Sequence, residues 1–200
     1  MKSKFLKLLA SFMLISVFAF AMVACDDAAT SEKKADEEPS AEEEDLGFSE
    51  VEIFAGEKWA EGYLAMNGVY FQAVTMNGGT SKEDADCHLE LDVSAMKGNK
   101  FGFGEGDWVP YLTVNYEVTK DGETISSGTF MPMAASDGPH YGANIKMAGN
   151  GDYTVKFTVS YPGTDTYLIH TDETGPGAVY PTASYTFEKT WNYIFGSWEE

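Results

Sequence analysis

The 200-residue chain contains no arginine, and its 13 lysines stand against 32 acidic residues, a formal charge of −19. Contact with a phosphate backbone needs clustered Lys or Arg, so nucleic-acid binding is excluded. The same field disfavours anionic small molecules and suits cationic ligands, metal ions among them. There are two cysteines, Cys25 and Cys87. If Cys25 is spent on a lipid, Cys87 has no partner, and the fold must stand without a disulfide. No Gly-rich phosphate loop or nucleophile elbow is present. Gly102-Phe103-Gly104-Glu105-Gly106 has no helix after it and reads as a loop. With Cys87 on the apolar face of its strand, a thiol nucleophile is disfavoured too. The chain is therefore read as a binding protein rather than an enzyme. A metal reductase or oxidase role is the least supported alternative, because no electron donor is visible.

What is present begins with a leader. Lys2, Lys4 and Lys7 precede an apolar stretch from Phe5 to Val23, which ends at Ala24-Cys25. This is the pattern of a lipoprotein signal over residues 1–24, with Cys25 as the acylated residue. The apolar run is short for a membrane span and is followed by a polar tract. Ten of the twenty residues from Asp26 to Asp45 are acidic. Such a segment buries too little to offset its chain entropy, so residues 25–47 are expected to form a disordered tether rather than a metal-collecting arm.

Residues 48–190 have the length of one domain with its own core. Cys87–Ala95 alternates cleanly: Cys87, Leu89, Leu91 and Val93 on one face, His88, Glu90, Asp92 and Ser94 on the other. Val69–Met76, Tyr111–Val118, Thr124–Phe130, Gly142–Met147, Tyr153–Ser160, Tyr167–His170 and Ser184–Lys189 also read as strands, with Asp121-Gly122 as a hairpin turn. Seven or eight short strands with frequent turns, and no amphipathic helix, predict an all-β antiparallel sandwich. The aromatic stretch from Trp191 to Trp198, in a tail spanning 191–200, is expected to pack back on the domain or to join a subunit contact.

All three histidines, His88, His140 and His170, sit beside acidic or sulfur-bearing neighbours. His88 and Glu90 leave the same face of a strand, with Cα atoms roughly 6.5–7 Å apart, close enough for two ligands to close on one ion. Met131-Pro132-Met133-Ala134-Ala135-Ser136-Asp137-Gly138-Pro139-His140 places thioethers and an imidazole around a stiffened turn. A thioether favours copper, above all Cu(I), whereas His with Glu suits Cu(II), Fe(II) or Zn(II). Asp172 or Glu173 is placed to hold the second ring nitrogen of His170. The alternative for each residue is ordinary: an exposed polar face for His88 and Glu90, core filling for the methionines, a surface position for each histidine.

Asp86–Val93, Trp108–Val114, Met131-Pro132-Met133, Asp137-Gly138-Pro139-His140-Tyr141-Gly142-Ala143-Asn144 and His170 through Gly175 together resemble the periplasmic high-affinity iron-transport protein family, its treponemal lipid-anchored members above all. The resemblance covers roughly residues 50–190. It implies an immunoglobulin-like β-sandwich, usually a homodimer, with a surface-accessible metal site near the subunit contact. The ligands it implies are His88, Glu90, Met133, His140 and His170, with Met76 as a second, mobile copper ligand. The metals it implies are copper and iron, with zinc or manganese as surrogates. It further implies delivery to a membrane permease from a lipid-anchored, periplasmic position, in either the inner or the outer membrane. One departure is Ser94, where many members carry a further histidine. A copper buffer or chaperone, and a surface adhesin for a host iron-carrier protein, are the rival readings.

Overall fold

The computed structural model describes residues 49–199; the leader, Cys25 and the acidic stretch lie outside the described residues. Nine strands follow in order: β1 (Val51–Trp59), β2 (Leu64–Phe71), β3 (Cys87–Ala95), β4 (Thr113–Lys120), β5 (Glu123–Thr129), β6 (Met131–Ala134), β7 (Pro139–Ile145), β8 (Gly151–Ser160) and β9 (Tyr185–Tyr193). They form a five-stranded sheet in the order β1-β2-β3-β7-β6 and a four-stranded sheet in the order β5-β4-β8-β9. Every pairing is antiparallel. The all-β, immunoglobulin-like sandwich expected from the sequence is the fold observed. No described helix is long and apolar enough to cross a membrane.

Alternation builds the core between the sheets. Leu89, Leu91 and Val93 of β3 are buried against Val114 and Val118 of β4 and Val155, Phe157 and Val159 of β8. Full burial of each such side chain stabilises by about 1.5–3 kcal/mol. Aromatic contacts join the layers: the Phe157 ring lies 6.0 Å from Phe54 and 6.0 Å from Phe130. Tyr141 anchors β7, accepting from the Leu112 N–H at 3.0 Å and donating to the Val109 carbonyl at 2.7 Å.

Several boundaries differ from the sequence expectation. The strand expected over 69–76 ends at Phe71, because the chain then leaves the sheet and folds over it. Tyr167–His170 is a loop, not a strand. β1 was not expected; two register shifts around Phe54, with Gly56 at φ 72°, break the alternation that would have marked it. At the C-terminus, Trp191 to Tyr193 are part of β9. Trp198 is buried against Tyr70, with ring centroids 6.2 Å apart. The aromatic stretch therefore packs back on the domain. The Asp121-Gly122 turn stands as expected, with both residues at positive φ between β4 and β5.

Candidate metal centre

The centre lies on the outer face of the five-stranded sheet, where β3 pairs with β7. Period-two alternation sends Leu89 and Leu91 inward and His88 and Glu90 outward. The register sets His88 opposite Asn144 and Glu90 opposite Gly142, and β6 then sets Met133 opposite His140. The turn between β6 and β7 is tied by the Ala135 N–H to the Gly138 carbonyl at 2.9 Å. Gly138 sits at φ 143°, a conformation that L side chains rarely adopt. This turn returns His140 to the sheet beside Glu90.

His88, Glu90 and His140 each offer a ligand atom, and these atoms all lie within 4.8 Å of one another. The His140 Nδ1 to Glu90 Oε1 distance is 3.3 Å. The two imidazole rings are 5.9 Å apart in an edge-to-face arrangement. All three side chains are buried: 0% exposed for His88, 3% for Glu90 and 5% for His140. Neither the exposed polar face that was the alternative for His88 and Glu90 nor the surface-accessible site implied by the resemblance is found in the described chain. The cause is the chain after β2, whose Val74 and Thr80 backbones bind the Asn144 side chain over this face. Phe71 adds its ring 5.1 Å from His88.

Burial governs the electrostatics. It pushes the Glu90 carboxyl up to about 9, helped by the negative charges of Asp92, Glu50 and Asp137. Burial pushes His88 down to about 4, against the opposing hydrogen bond from Asn144. His140 is lowered by burial, with Asp137 opposing. Burial thus favours the neutral form of each of the three groups in the metal-free centre. Burying such a set unpaired is costly, and a cation that displaces the Glu90 proton would relieve the arrangement. His88 Nε2 is buried with no hydrogen-bond partner. A buried, bare imidazole nitrogen beside a carboxyl and a second imidazole is the donor set of a first-row divalent ion.

The other expected ligands are placed as follows. Met133 is half-buried on β6, across from His140. Met76 is half-buried in the stretch that crosses the face, between the two segments held by Asn144. His170 is not part of the three-residue group. It is exposed on the loop after β8, in a cleft lined by Phe101, Tyr167, Leu168 and Pro176. Its Nδ1 bonds Thr174 Oγ1 at 2.9 Å, and that hydroxyl donates to Asp172 at 2.6 Å. Asp172 thus reaches His170 through Thr174, not directly. Ser94 is paired with Trp108 at the far end of β3.

Sequence reasoning left out Asp92, Asp137 and Glu50 as an acidic surround, and Asn144 and Gly142 as the partners opposite His88 and Glu90. Asp92 was legible, since it shares the alternating face with Glu90. Glu50 carries no sequence signal, because only the tertiary fold brings it near.

The profile of the family described as "Fe2+ transport protein" matches residues 47–195. The 34 kDa membrane antigen of Treponema pallidum (strain Nichols) is 46% identical over 134 residues, covering 64% of this chain and 65% of that protein. FetP of uropathogenic Escherichia coli strain F11, expressed in the periplasm, shares 41% identity at a TM-score of 0.66, covering 74% of this chain and 98% of that one. A copper-bound variant of P19 from Campylobacter jejuni shares 34% identity at a TM-score of 0.67, covering 73% and 98%. With the resembling blocks of sequence, the sandwich and the buried histidine–glutamate set all in one chain, the protein belongs to the Fe2+ transport protein family.

Proposed function

We propose that this protein is a lipid-anchored, extracytoplasmic metal-binding component of an iron-uptake system. It takes up a divalent transition ion at His88, Glu90 and His140 and delivers it to a membrane permease. The observation that carries the reading is the buried group of three ligand atoms within 4.8 Å of one another. Two imidazoles supply neutral nitrogen and Glu90 supplies charge on losing its proton. Met133, across from His140, adds a soft donor that suits copper and the reduced state of an ion. Met76 is a further ligand of this proposal and Cys25 is its lipid attachment; His170, exposed on the loop after β8 and outside the three-residue group, is given no place in it. It acts as a homodimer without enzymatic turnover, in the periplasm. Iron, copper, zinc and manganese are the candidate ions.

Support comes from the family and from a copper-bound neighbour of similar fold. The test is calorimetric titration of the purified protein with Cu(II), Fe(II) and Zn(II) under anaerobic conditions. A wild-type affinity retained by His140→Ala sinks the site.

A second reading, copper buffering, is favoured by the thioether of Met133 and the copper-bound neighbour. A deletion strain separates the two. Poor growth under iron limitation supports iron uptake; copper sensitivity with normal iron uptake supports copper buffering.

A further inference from the structure

One carboxamide joins the ligand histidine to the segment over the site. Asn144 is 3% exposed and lies opposite His88 in the β3–β7 register. Its Nδ2 donates to the Val74 carbonyl at 2.8 Å and to the Thr80 carbonyl at 3.0 Å. Both amide hydrogens are thereby used, so the orientation of the group is fixed: Oδ1 is the acceptor. That oxygen receives the Val74 N–H at 3.2 Å and faces His88 Nδ1 at 2.9 Å. An acceptor-only oxygen requires the ring hydrogen on Nδ1. Nε2 of His88 is then bare, and it is the buried nitrogen with no partner.

We propose that Asn144 is the positioning residue of the centre, fixing His88 as an Nε2 ligand and tying that ring to the segment that carries Met76. The two carbonyls it grips bracket Thr75-Met76-Asn77-Gly78-Gly79. The metal side of this role rests on the reading of function above; the tautomer and the tie to the segment do not. A histidine ligand whose other nitrogen is held by an oriented acceptor binds as a single tautomer, and loss of such a partner costs typically 10–100-fold in metal affinity. Here the same group also holds the backbone on both sides of a thioether. Seating an ion on His88 and ordering the Met76 segment are therefore coupled through one side chain.

Long-range proton–nitrogen NMR on the metal-free full chain, labelled in its three histidines, reads the tautomer directly. In the wild type His88 carries hydrogen on Nδ1 with Nε2 bare. Asn144→Ala gives a mixture of tautomers and a roughly 10–100-fold loss of Cu(II) affinity. Asn144→Asp retains an acceptor but no donor: the tautomer persists, while the amides from Val74 to Thr80 exchange with solvent faster. A wild-type ring protonated on Nε2, or a single Nδ1-protonated tautomer kept in Asn144→Ala, overturns the positioning role. If Asn144→Ala does not fold, the wild-type tautomer and the Asp variant decide. Unchanged exchange over residues 74–80 in the Asp variant overturns the tie to the segment. A wild type that shows the expected tautomer but binds no metal removes the functional reading and leaves the positioning of the ring intact.

Discussion

The Nε2 atom of His88 occupies the space that a side chain at Gly142 would need. A Cβ at Gly142 would stand 2.5 Å from that nitrogen, closer than real Cβ atoms come. Gly142 is not in the left-handed region, so space rather than backbone freedom explains the residue. Gly142→Ala should push the ring out of line and lower metal affinity roughly 10–100-fold, as loss of ligand orientation does. Overpacking should also cost about 1–3 kcal/mol. Calorimetric metal titration and thermal melting check both. Wild-type affinity in a folded Gly142→Ala would show that the ring does not bind where it now lies.

The raised Glu90 and the lowered His88 set the pH behaviour. A raised carboxyl contributes stability that is complete below its unfolded value and lost as pH climbs toward its folded value of about 9. A depressed imidazole contributes stability present above its unfolded value of 6.5 and lost as pH falls toward about 4. The two oppose each other between 4.5 and 6.5. Above 6.5 the Glu90 effect acts alone, so the metal-free protein should melt at progressively lower temperature from pH 7 to 9. Glu90→Gln should flatten that decline.

Metal binding must expel the same proton. Apparent affinity should rise roughly tenfold per pH unit between pH 7 and 9, for one proton released. The heat of titration should vary with the ionisation enthalpy of the buffer. His88 is already neutral in this range and adds nothing to the count. An affinity independent of pH across this window would mean that Glu90 is already ionised before the ion binds, or enters the complex protonated, or does not enter it.

Met133 should separate soft from hard ions. Met133→Leu keeps the volume of a half-buried side chain on β6 and removes the sulfur. Cu(I) affinity should fall by roughly tenfold or more, while Zn(II) affinity changes little. Competition with a Cu(I) chelator and a parallel Zn(II) titration provide the comparison. Equal losses for both ions would assign Met133 a packing role.

The core offers a control that leaves the centre alone. Phe157 is fully buried on β8 and packs on Phe54, Phe130 and Phe187. Phe157→Ala should destabilise by about 3–5 kcal/mol in denaturant unfolding. Its metal affinity, measured under folding conditions, should stay at the wild-type level.

Where local pattern decides structure, the sequence was legible. The alternation of Cys87–Ala95, the Asp121-Gly122 turn and the β8 pattern all depend on near neighbours, and each is found as read. The histidine–glutamate pair on one strand face belongs to the same kind. What could not be read was the fate of that face. Polar residues on an alternating strand ordinarily meet water, but here the backbone at Val74 and Thr80 crosses over them and binds Asn144, some 70 residues away in the chain. Such a contact has no periodic signature. β6 escaped notice because Pro132 argues against a strand, and β1 because Gly56 and its bulges disrupt the period. Tyr167–His170 has the apolar content of a strand but no partner edge in either sheet, so it remains a loop.

β6 has one more implication. It forms the outer edge of the five-stranded sheet, only four residues long, and Pro132 within it has no N–H to offer. An edge of this kind is a poor template for another extended chain. A chain that docks beside Met131 and Met133 would have to recognise side chains, not continue the sheet. The sheet edge nearest the centre is therefore guarded against fibrous self-association.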